Sequence, residues 1–228
     1  MRLAFIVAIE EELTIKKKQW KIKKINNVNY YFTKVNSNEF ILIFSKVGKA
    51  NAANITSLLI NSLKVNNIIN IGTVGLCNNQ LTSHDLCIVQ QAYYSDVDAT
   101  CFKYKINQIP QEQLFFTTSK KLNKLIETII KNKFKFKIHN DIELATADSF
   151  ITSKNRKKFH IFNSTDIVDM EGASILQIAN HYNNINVSMI KFISDNISNK
   201  NNTKEYDNSL LSVRANINKI IDEIINNV

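Results

Sequence analysis

Apolar side chains follow two alternating patterns along this chain, namely short continuous runs and segments with helical spacing. The runs predict buried strands at residues 2–9, 29–35, 40–45, 67–71, 85–92, 143–146, 166–168 and 187–193. The helical spacing predicts helices at residues 49–63, 120–131, 171–181 and 205–226. The second and third strands resemble a hairpin. Strands that alternate with helices indicate an α/β fold, in which a central mixed, largely parallel sheet is flanked by helices.

Length and composition indicate a single domain over residues 1–228. Hydrophobic types make up 44% of the 228 residues, which is enough for one sizeable core. No linker, repeat or Pro/Ser-rich stretch interrupts the pattern. No apolar stretch is long enough to predict a membrane span. The first apolar run leads straight into three acids without a cleavage site of small residues, which is typical of a strand rather than a signal peptide.

The three cysteines, Cys77, Cys87 and Cys101, form no CxxC pair. An odd count without such a pair indicates neither a disulfide framework nor a zinc site. A reducing cytoplasm is the compartment that fits this cysteine usage best.

The net charge of +9 makes a nucleic-acid binder one class to consider. The excess is almost entirely lysine, because arginine occurs only at Arg2, Arg156 and Arg214. Nucleic-acid-binding proteins usually recognise their ligand with arginine and interleaved aromatic residues. The composition therefore favours a solvated lysine surface, and we expect no nucleic-acid partner.

Acidic residues follow three of the predicted strands. Residues 10–12 are three glutamates after the first strand, Asp169 and Glu171 follow the strand at 166–168, and Asp195 ends the strand at 187–193. The carboxyl ends of parallel strands meet at one edge of a sheet, so these acids are expected to share a pocket. The alternative is that they only favour helix N-termini electrostatically.

The chain has four glycines, each close to one of these acids or to a strand end. They are Gly48, Gly72, Gly75 and Gly172. Plain turns explain each of them singly, and Gly72 with Gly75 is expected to flank a strand-to-turn segment. Their position beside the acids favours close approach of the backbone to a ligand.

Cleavage of an N-glycosidic bond is one reaction that needs such acids. One carboxyl group protonates the leaving base and another activates water on the opposite face of the sugar. A third carboxylate can accept hydrogen bonds from two ribose hydroxyls. This chemistry needs no metal, and the four histidines are scattered without ligand spacing.

Seven short motifs, in this order, give the chain a resemblance to a known family. They lie at residues 8–12, 45–49, 70–75, 96–104, 146–151, 168–173 and 193–195, and read AIEEE, SKVGK, NIGTVG, DVDATCFKY, TADSFI, VDMEGA and ISD. Each motif is weak alone, but their order and spacing over the chain resemble the bacterial 5′-methylthioadenosine/S-adenosylhomocysteine nucleosidases.

The resemblance implies a nucleoside phosphorylase-like fold and hydrolysis of both nucleosides to adenine and a 5-thioribose product. It implies a cytoplasmic homodimer that salvages by-products of S-adenosylmethionine and needs no cofactor. Asp195 is then the general acid that protonates adenine N7, and Ser194 helps to orient it. Glu12 positions and activates the attacking water, and Glu171 accepts hydrogen bonds from the ribose hydroxyls.

The remaining substrate contacts also follow from the resemblance. Met170 packs on the sugar, Phe150 stacks on adenine and the Ile151 backbone reads the base edge. The other implied positions are Thr73 and Val74 on the base and water side, Ile9 and Val47 on the sugar and thioether side, and Phe102 and Pro110 from the neighbouring subunit. Without the resemblance, Phe150 and Met170 are typical of an ordinary core, and Phe102 packs within its own chain.

Three positions depart from the family pattern. Asp169, in the substrate-binding motif, stands where the family usually has glutamate. Lys191 replaces an arginine and loses its forked geometry. Leu76 stands where the family tends to have another glycine. These changes affect the expected rate and the substrate preference more than the reaction type.

A phosphate-dependent purine nucleoside phosphorylase is the nearest rival. It needs a cationic cradle for phosphate, generally with arginines, and the sequence places only Lys46 and Lys49 near the glycine motifs. A non-catalytic nucleoside-binding relative is the other alternative. It is disfavoured because Glu12, Glu171 and Asp195 are all present. The preference between the two nucleosides stays open.

Overall fold

The computed structural model describes residues 1–16, 19–78, 80–83 and 85–228. Its strands are β1 Arg2–Val7, β2 Lys21–Ile25, β3 Val28–Val35, β4 Asn38–Phe44, β5 Asn67–Leu76, β6 Leu86–Tyr94, β7 Phe116–Thr117, β8 Ile138–Thr146, β9 Ile167–Asp169 and β10 Asn186–Asn196. Its helices are α1 Lys49–Asn61, α2 Lys120–Lys133, α3 Gly172–Asn180 and α4 Asn202–Asn227. Short 3-10 turns lie at Glu10–Glu12, Thr100–Phe102 and Arg156–Lys158.

These strands form one mixed sheet, part of which closes on itself. The open part runs β2-β3-β4-β1-β5, with β4, β1 and β5 mutually parallel. Beyond it, β5 pairs with both β10 and β9, β10 pairs with β6, and β6 joins back to β9 through β8. The strands β5, β10, β6, β8 and β9 therefore form a closed ring at one side of the sheet, which confirms the mixed α/β sheet.

Helices cover both faces of the sheet because its central strands, such as β1, are apolar on both faces. In β1, Ala4 and Ile6 pack in the cluster that holds α1 and α3, whereas Phe5 packs in the cluster that holds α2 and α4. The period of two in a strand sends successive side chains to opposite faces. Each large apolar side chain that is fully buried contributes roughly 1.5–3 kcal/mol.

The predicted elements are confirmed in type, but several of their boundaries are corrected, and β8 begins at Ile138 rather than at residue 143. The predicted hairpin is the antiparallel pair β3–β4. β5 does not end before Gly72 but continues through Gly75, so these glycines lie within a strand and flank no turn. β10 likewise runs past Ser194 and Asp195. α4 begins at Asn202, three residues before the predicted start of this helix.

Two strands have no counterpart among the predictions. β2 reads KIKKI and is largely exposed, so its apolar pattern is weak. β7 has two residues and exists only through its pairing with β6. In the part of the chain that the structure describes, no helix is both long and apolar enough to cross a membrane.

Candidate active site

A cavity of about 220 Å³ lies where the carboxyl ends of β1, β5 and β9 meet β10. Most of the residues predicted from the sequence line it. These are Ile9, Glu12, Val47, Thr73, Val74, Phe150, Ile151, Asp169, Met170, Glu171, Ser194 and Asp195. The three acidic segments that follow different strands therefore converge on one pocket, as their positions predicted.

Glu12 is buried at one side of this cavity, in the 3-10 turn that follows β1. Its Oε1 atom accepts hydrogen bonds from the Thr73 backbone N–H at 2.8 Å and from the Thr73 hydroxyl at 2.6 Å. Its buried Oε2 atom has no hydrogen-bond partner among the described residues. Burial raises the pKa of the carboxyl group, although the Thr73 hydrogen bonds oppose that rise. One carboxylate oxygen is thus fixed and the other is free for a ligand.

Gly72 makes room for Glu12. A Cβ atom on Gly72 would lie 3.1 Å from both carboxylate oxygens of Glu12. Such a contact is too close for a side chain to be added without moving the carboxylate. The glycine is therefore required by close approach and not by a turn.

Glu171 lies just before α3 and reaches across the cavity to the glycine that precedes α1. Its Oε1 atom accepts a hydrogen bond from the Gly48 backbone N–H at 2.9 Å. Gly48 has φ +104°, a conformation that favours glycine. Burial and the neighbouring charge of Asp169 raise the pKa of Glu171 to about 7. This carboxyl group can exchange a proton near neutral pH.

Asp169 differs from the other cavity acids because a buried cation binds it in addition to hydrogen bonds. Oδ1 accepts a hydrogen bond from the Thr146 hydroxyl at 2.7 Å, and both oxygens accept from the Gly172 N–H. Oδ2 also lies 2.9 Å from the Lys191 ammonium, which is buried. Asp169 lines the cavity, but its contacts are structural: its hydrogen bonds hold the start of α3, and its ion pair holds Lys191.

Lys191 enters the site from β10, in register with Gly72 of β5. Its burial lowers the pKa of the ammonium group, but the charges of Asp169 and Glu171 outweigh this and raise it. The expectation that Lys46 and Lys49 are the only cations near the glycine motifs is therefore wrong. Lys46 is exposed, and Lys49 is bound to Asp96 at 2.7 Å.

Asp195 is buried in β10, beside Ser194. Its Oδ1 atom lies 2.7 Å from the Ser194 hydroxyl, and its Oδ2 atom accepts a hydrogen bond from the side-chain amide of Asn202 at 2.9 Å. Burial raises the pKa of Asp195 against these two hydrogen bonds. A carboxyl group in such surroundings is easier to protonate than one in water.

Aromatic rings border the other side of the cavity. Phe150 is 38% exposed and meets the ring of Tyr206 edge-on, with 5.6 Å between ring centroids. Burial raises the pKa of Tyr206 to about 12, and its hydroxyl interacts with the Thr73 side chain. Phe150 therefore stays partly exposed at the cavity, with the Tyr206 ring packed against it nearly at a right angle.

Phe102 and Pro110 do not reach the cavity of their own chain. Phe102 is 73% exposed, and Pro110 is also exposed. The alternative in which Phe102 packs within its own chain is therefore wrong. The expectation that both residues act on a neighbouring subunit stays a prediction.

Three residues that belong to the site were not predicted from the sequence. Lys191 was named only as a departure from the family pattern, Tyr206 carried no signal beyond helical spacing, and Asn202 lay outside the predicted helix. Each reaches the site through a contact between elements, which local patterns do not encode. Among the described residues, no group of three or more His, Cys, Asp or Glu is placed to hold a metal ion.

The arrangement suits acid–base chemistry on a ligand with a flat ring and hydroxyl groups. Asp195 and Glu12 approach the cavity from different elements, and both have raised pKa values. Such a pair can give a proton on one side of a bond and accept one on the other. Glu171 reaches the same cavity from the N-cap of α3 and can accept hydrogen bonds.

Comparison with known proteins adds independent findings. The family profile described as the phosphorylase superfamily matches residues 2–226. The 5′-methylthioadenosine/S-adenosylhomocysteine nucleosidase of Buchnera aphidicola subsp. Schizaphis graminum is 34% identical over 233 residues, covering 100% of this chain and 97% of that protein. The aminodeoxyfutalosine nucleosidase of Campylobacter jejuni is 33% identical over 77% of each chain.

A solved structure is similar over the whole chain. It is the Streptococcus pneumoniae MTA/SAH nucleosidase in complex with 8-aminoadenine. It matches with a TM-score of 0.87 and 24% identity, over 100% of this chain and 100% of that one. This similarity concerns the fold.

Proposed function

The chain belongs to the phosphorylase superfamily and, within it, to the 5′-methylthioadenosine/S-adenosylhomocysteine nucleosidases, and from this membership we propose that it hydrolyses the N-glycosidic bond of these two nucleosides. The products are adenine and the corresponding 5-thioribose. In cells this reaction removes by-products of S-adenosylmethionine and salvages their adenine and sulfur.

We assign the chemical roles to the three cavity acids whose pKa values are raised. Asp195 protonates N7 of the leaving adenine, because its buried carboxyl group holds a proton more readily than one in water. Glu12 orients and deprotonates the water through Oε2, the oxygen that has no partner among the described residues. Glu171 accepts hydrogen bonds from the ribose hydroxyls, beside Met170.

Phe150 and Ile151 bind the base in this proposal. Phe150 stacks on adenine, and the Ile151 backbone hydrogen-bonds to the base edge. Thr73, Val74, Ile9 and Val47 line the water, sugar and thioether sides of the cavity. These roles are supported by the position of each residue around one cavity.

One observation carries the choice of water over phosphate as the nucleophile. Lys191 is the cation among the described residues that line the cavity, and Asp169 binds it at 2.9 Å. A phosphorylase needs free cationic donors for a phosphate dianion. Buried Glu12, whose Oε2 faces no donor within the described chain, offers an acceptor to a water molecule and no donor to a phosphate oxygen.

A different 5′-substituent is the second candidate for the substrate. The similar protein of Campylobacter jejuni is named aminodeoxyfutalosine nucleosidase, and its identity of 33% is close to that of the first relative. The reaction at the N-glycosidic bond is the same in kind. The two candidates differ in what lies beyond the 5′ carbon, near the half-exposed Val47.

We also propose a cytoplasmic homodimer, in which Phe102 and Pro110 complete the partner's 5′-substituent pocket. Phe102 is 73% exposed on the single chain, so its ring is available for contact with a partner. Light scattering should give twice the chain mass, and Phe102→Ala should raise KM for methylthioadenosine. A monomer with unchanged KM in this variant would exclude the arrangement. Three free thiols, Cys77, Cys87 and Cys101, support a reducing compartment.

The first experiment incubates the purified protein with 5′-methylthioadenosine in phosphate-free buffer and measures free adenine. Aminodeoxyfutalosine is assayed in parallel, with Asp195→Asn as the inactive control. We expect adenine from the wild type and a loss of about 10²–10⁴-fold in the variant, because the general acid is removed. Release that depends on added phosphate would assign the chain to the phosphorylases. No release of adenine from any substrate would indicate a protein that binds nucleosides without cleaving them.

A further inference from the structure

Asn202 joins two parts of the site that belong to different elements. It is the first residue of α4 and is 1% exposed. Its Nδ2 atom donates to the Ile151 carbonyl at 2.9 Å and to Asp195 Oδ2 at 2.9 Å. Because a carbonyl and a carboxylate are both acceptors, the amide must turn its nitrogen toward them, and both its hydrogens are used. The contact is not a helix cap, since the N-cap residue is Asn201.

The contact completes the support of the Asp195 carboxyl group. Ser194 holds the other oxygen at 2.7 Å, but its hydroxyl also lies 3.0 Å from the Val74 carbonyl. A hydroxyl group has one hydrogen, so Ser194 can donate to only one of these acceptors at a time. Asn202 has no such choice, because it has a hydrogen for each of its partners. It is therefore the steadier of the two supports.

The other partner of Asn202 lies beside the proposed adenine platform. Ile151 follows Phe150 in the chain, and the loop that carries both residues is separated from β10 by more than one element. The amide thus ties the segment that recognises the base to the strand that carries the acid. Neither Ile151 nor Asp195 contacts the other through a hydrogen bond among those the structure describes.

Resting on the proposed hydrolysis, we propose that Asn202 is a positioning residue for the general acid. Its side chain holds the Asp195 carboxyl group and the Ile151 carbonyl in a fixed relation. The proton donor, Asp195, and the backbone of Ile151, which recognises the base, then approach the same adenine together. Asn202 touches neither substrate nor reacting atoms in this proposal and acts through Asp195.

The position of Asn202 has a consequence for the pH dependence. A donor to a carboxylate stabilises its ionised form, so Asn202 lowers the pKa of Asp195, while burial and the charge of Glu205 on α4 raise it. Cys77, after β5, also faces Asp195, and burial raises its pKa to about 12 so that it stays neutral. Loss of the amide therefore has two effects. It raises the pKa of Asp195, and it leaves the Asp195 carboxyl group less firmly oriented.

The test compares Asn202→Ala and Asn202→Asp with wild type in the adenine-release assay over a range of pH. Asn201→Ala is the matched control, because Asn201 is the exposed neighbour on the same turn. We expect kcat of Asn202→Ala to fall about 10- to 100-fold through misplacement. The alkaline limb of kcat/KM should move to higher pH. The isosteric Asn202→Asp should move it further, because two adjacent carboxyl groups share a proton. Asn201→Ala should match wild type.

A fall in kcat with the alkaline limb unmoved would overturn the proposal, since it is what a merely structural residue produces. Unchanged kcat in Asn202→Ala would overturn it as well. A second measurement is independent of turnover. Carboxyl ¹³C shifts of labelled aspartate, with Asp195 assigned through Asp195→Asn, should titrate at higher pH in Asn202→Ala than in wild type. If wild type releases no adenine, the proposed function fails, while this titration still decides the role of Asn202.

Discussion

Two groups of buried or half-buried carboxylates in this molecule have opposite electrostatic states. Around the cavity, burial raises the pKa values of Glu12, Glu171 and Asp195. Outside the cavity, Lys131 and Asn140 donate to Glu127 on α2 and lower its pKa to about 2. The same chemical group is thus kept ready for a proton in one region and firmly ionised in the other.

The difference comes from the partners and not from the residue type. Glu127 has an ammonium group at 2.6 Å, and Asp85 has a histidine nitrogen at 2.9 Å and a lysine at 3.6 Å. At Asp85, hydrogen bonds from Thr82 and His139 outweigh burial and lower the pKa. In the cavity, the buried cation Lys191 forms its ion pair with Asp169. The other acids are left with hydrogen bonds that position them but do not balance their charge.

The largest expected effect is on catalysis, through Glu12→Gln. Glutamine keeps an acceptor for the two Thr73 donors and replaces Oε2 with a group that cannot take a proton. We expect kcat for adenine release to fall about 10²–10⁴-fold with little change in thermal unfolding. Glu11→Gln, an exposed neighbour on the same turn, is the control and should keep wild-type kcat. Wild-type kcat in Glu12→Gln would remove Glu12 from the mechanism.

The next effect concerns stability, through Lys191→Met. The substitution leaves Asp169 buried without its cation, which typically costs about 3–5 kcal/mol. Lys131→Met removes a cation from the α2 region instead and should cost only about 0.3–0.5 kcal/mol. Urea unfolding measures both. A similar loss in the two variants would mean that burial makes no difference, and the contrast between the regions would be lost.

The third prediction concerns the pH dependence of stability. The pKa of Glu171 is raised from 4.5 to about 7 in the folded protein. Between these two pH values, Glu171 therefore binds more protons in the folded protein than in the unfolded chain. The contribution of Glu171 is therefore present at low pH and lost as the pH rises, on the order of 1–3 kcal/mol between about pH 5 and pH 8. Glu171→Gln should flatten this slope in urea unfolding. An unchanged slope would show that Glu171 is ionised throughout.

The smallest effect has the opposite sign of pH dependence. Glu127 is held ionised, so its contribution is present above its usual pKa of 4.5 and is lost as the pH falls toward about 2. Glu127→Gln should cost about 1 kcal/mol at neutral pH, where the ion pairs are lost, and less in acid. Thermal unfolding at the two pH values measures the difference. Adenine release should not change, and a drop in activity would couple the two regions.

Local patterns in the chain predicted much of the site. Glu12, Glu171 and Asp195 each follow or end an apolar run, and parallel strands bring such positions to one edge. The structure confirms that the three share one cavity. The strand boundaries were less accurate, because a glycine usually signals a turn. Gly72 and Gly75 lie within β5 instead, where Glu12 beside Gly72, and Ile197 and Val168 beside Gly75, occupy the space that a side chain would need.

The contacts that adjust the site had no local signal. Asn202 lies 51 residues from Ile151, and Lys191 lies 22 residues from Asp169. Both side chains are polar and would be expected at the surface from their type alone. Their burial depends on α4 and β10 packing against the rest of the fold. Sequence spacing cannot show which polar residue is enclosed by such packing.

The sequence by itself determined the alternation of strands and helices, the order of the motifs and the acids that can reach one edge of the sheet. These features depend on side-chain periodicity and on chain direction, which are local properties. Only the tertiary structure decided which acids are buried away from water without a neighbouring cation, and which polar side chains form hydrogen bonds with them. Desolvation and ion pairing depend on atoms brought together from distant parts of the chain. For that reason the surroundings of Asp169 and Asp195 differ, although both are aspartates near strand ends.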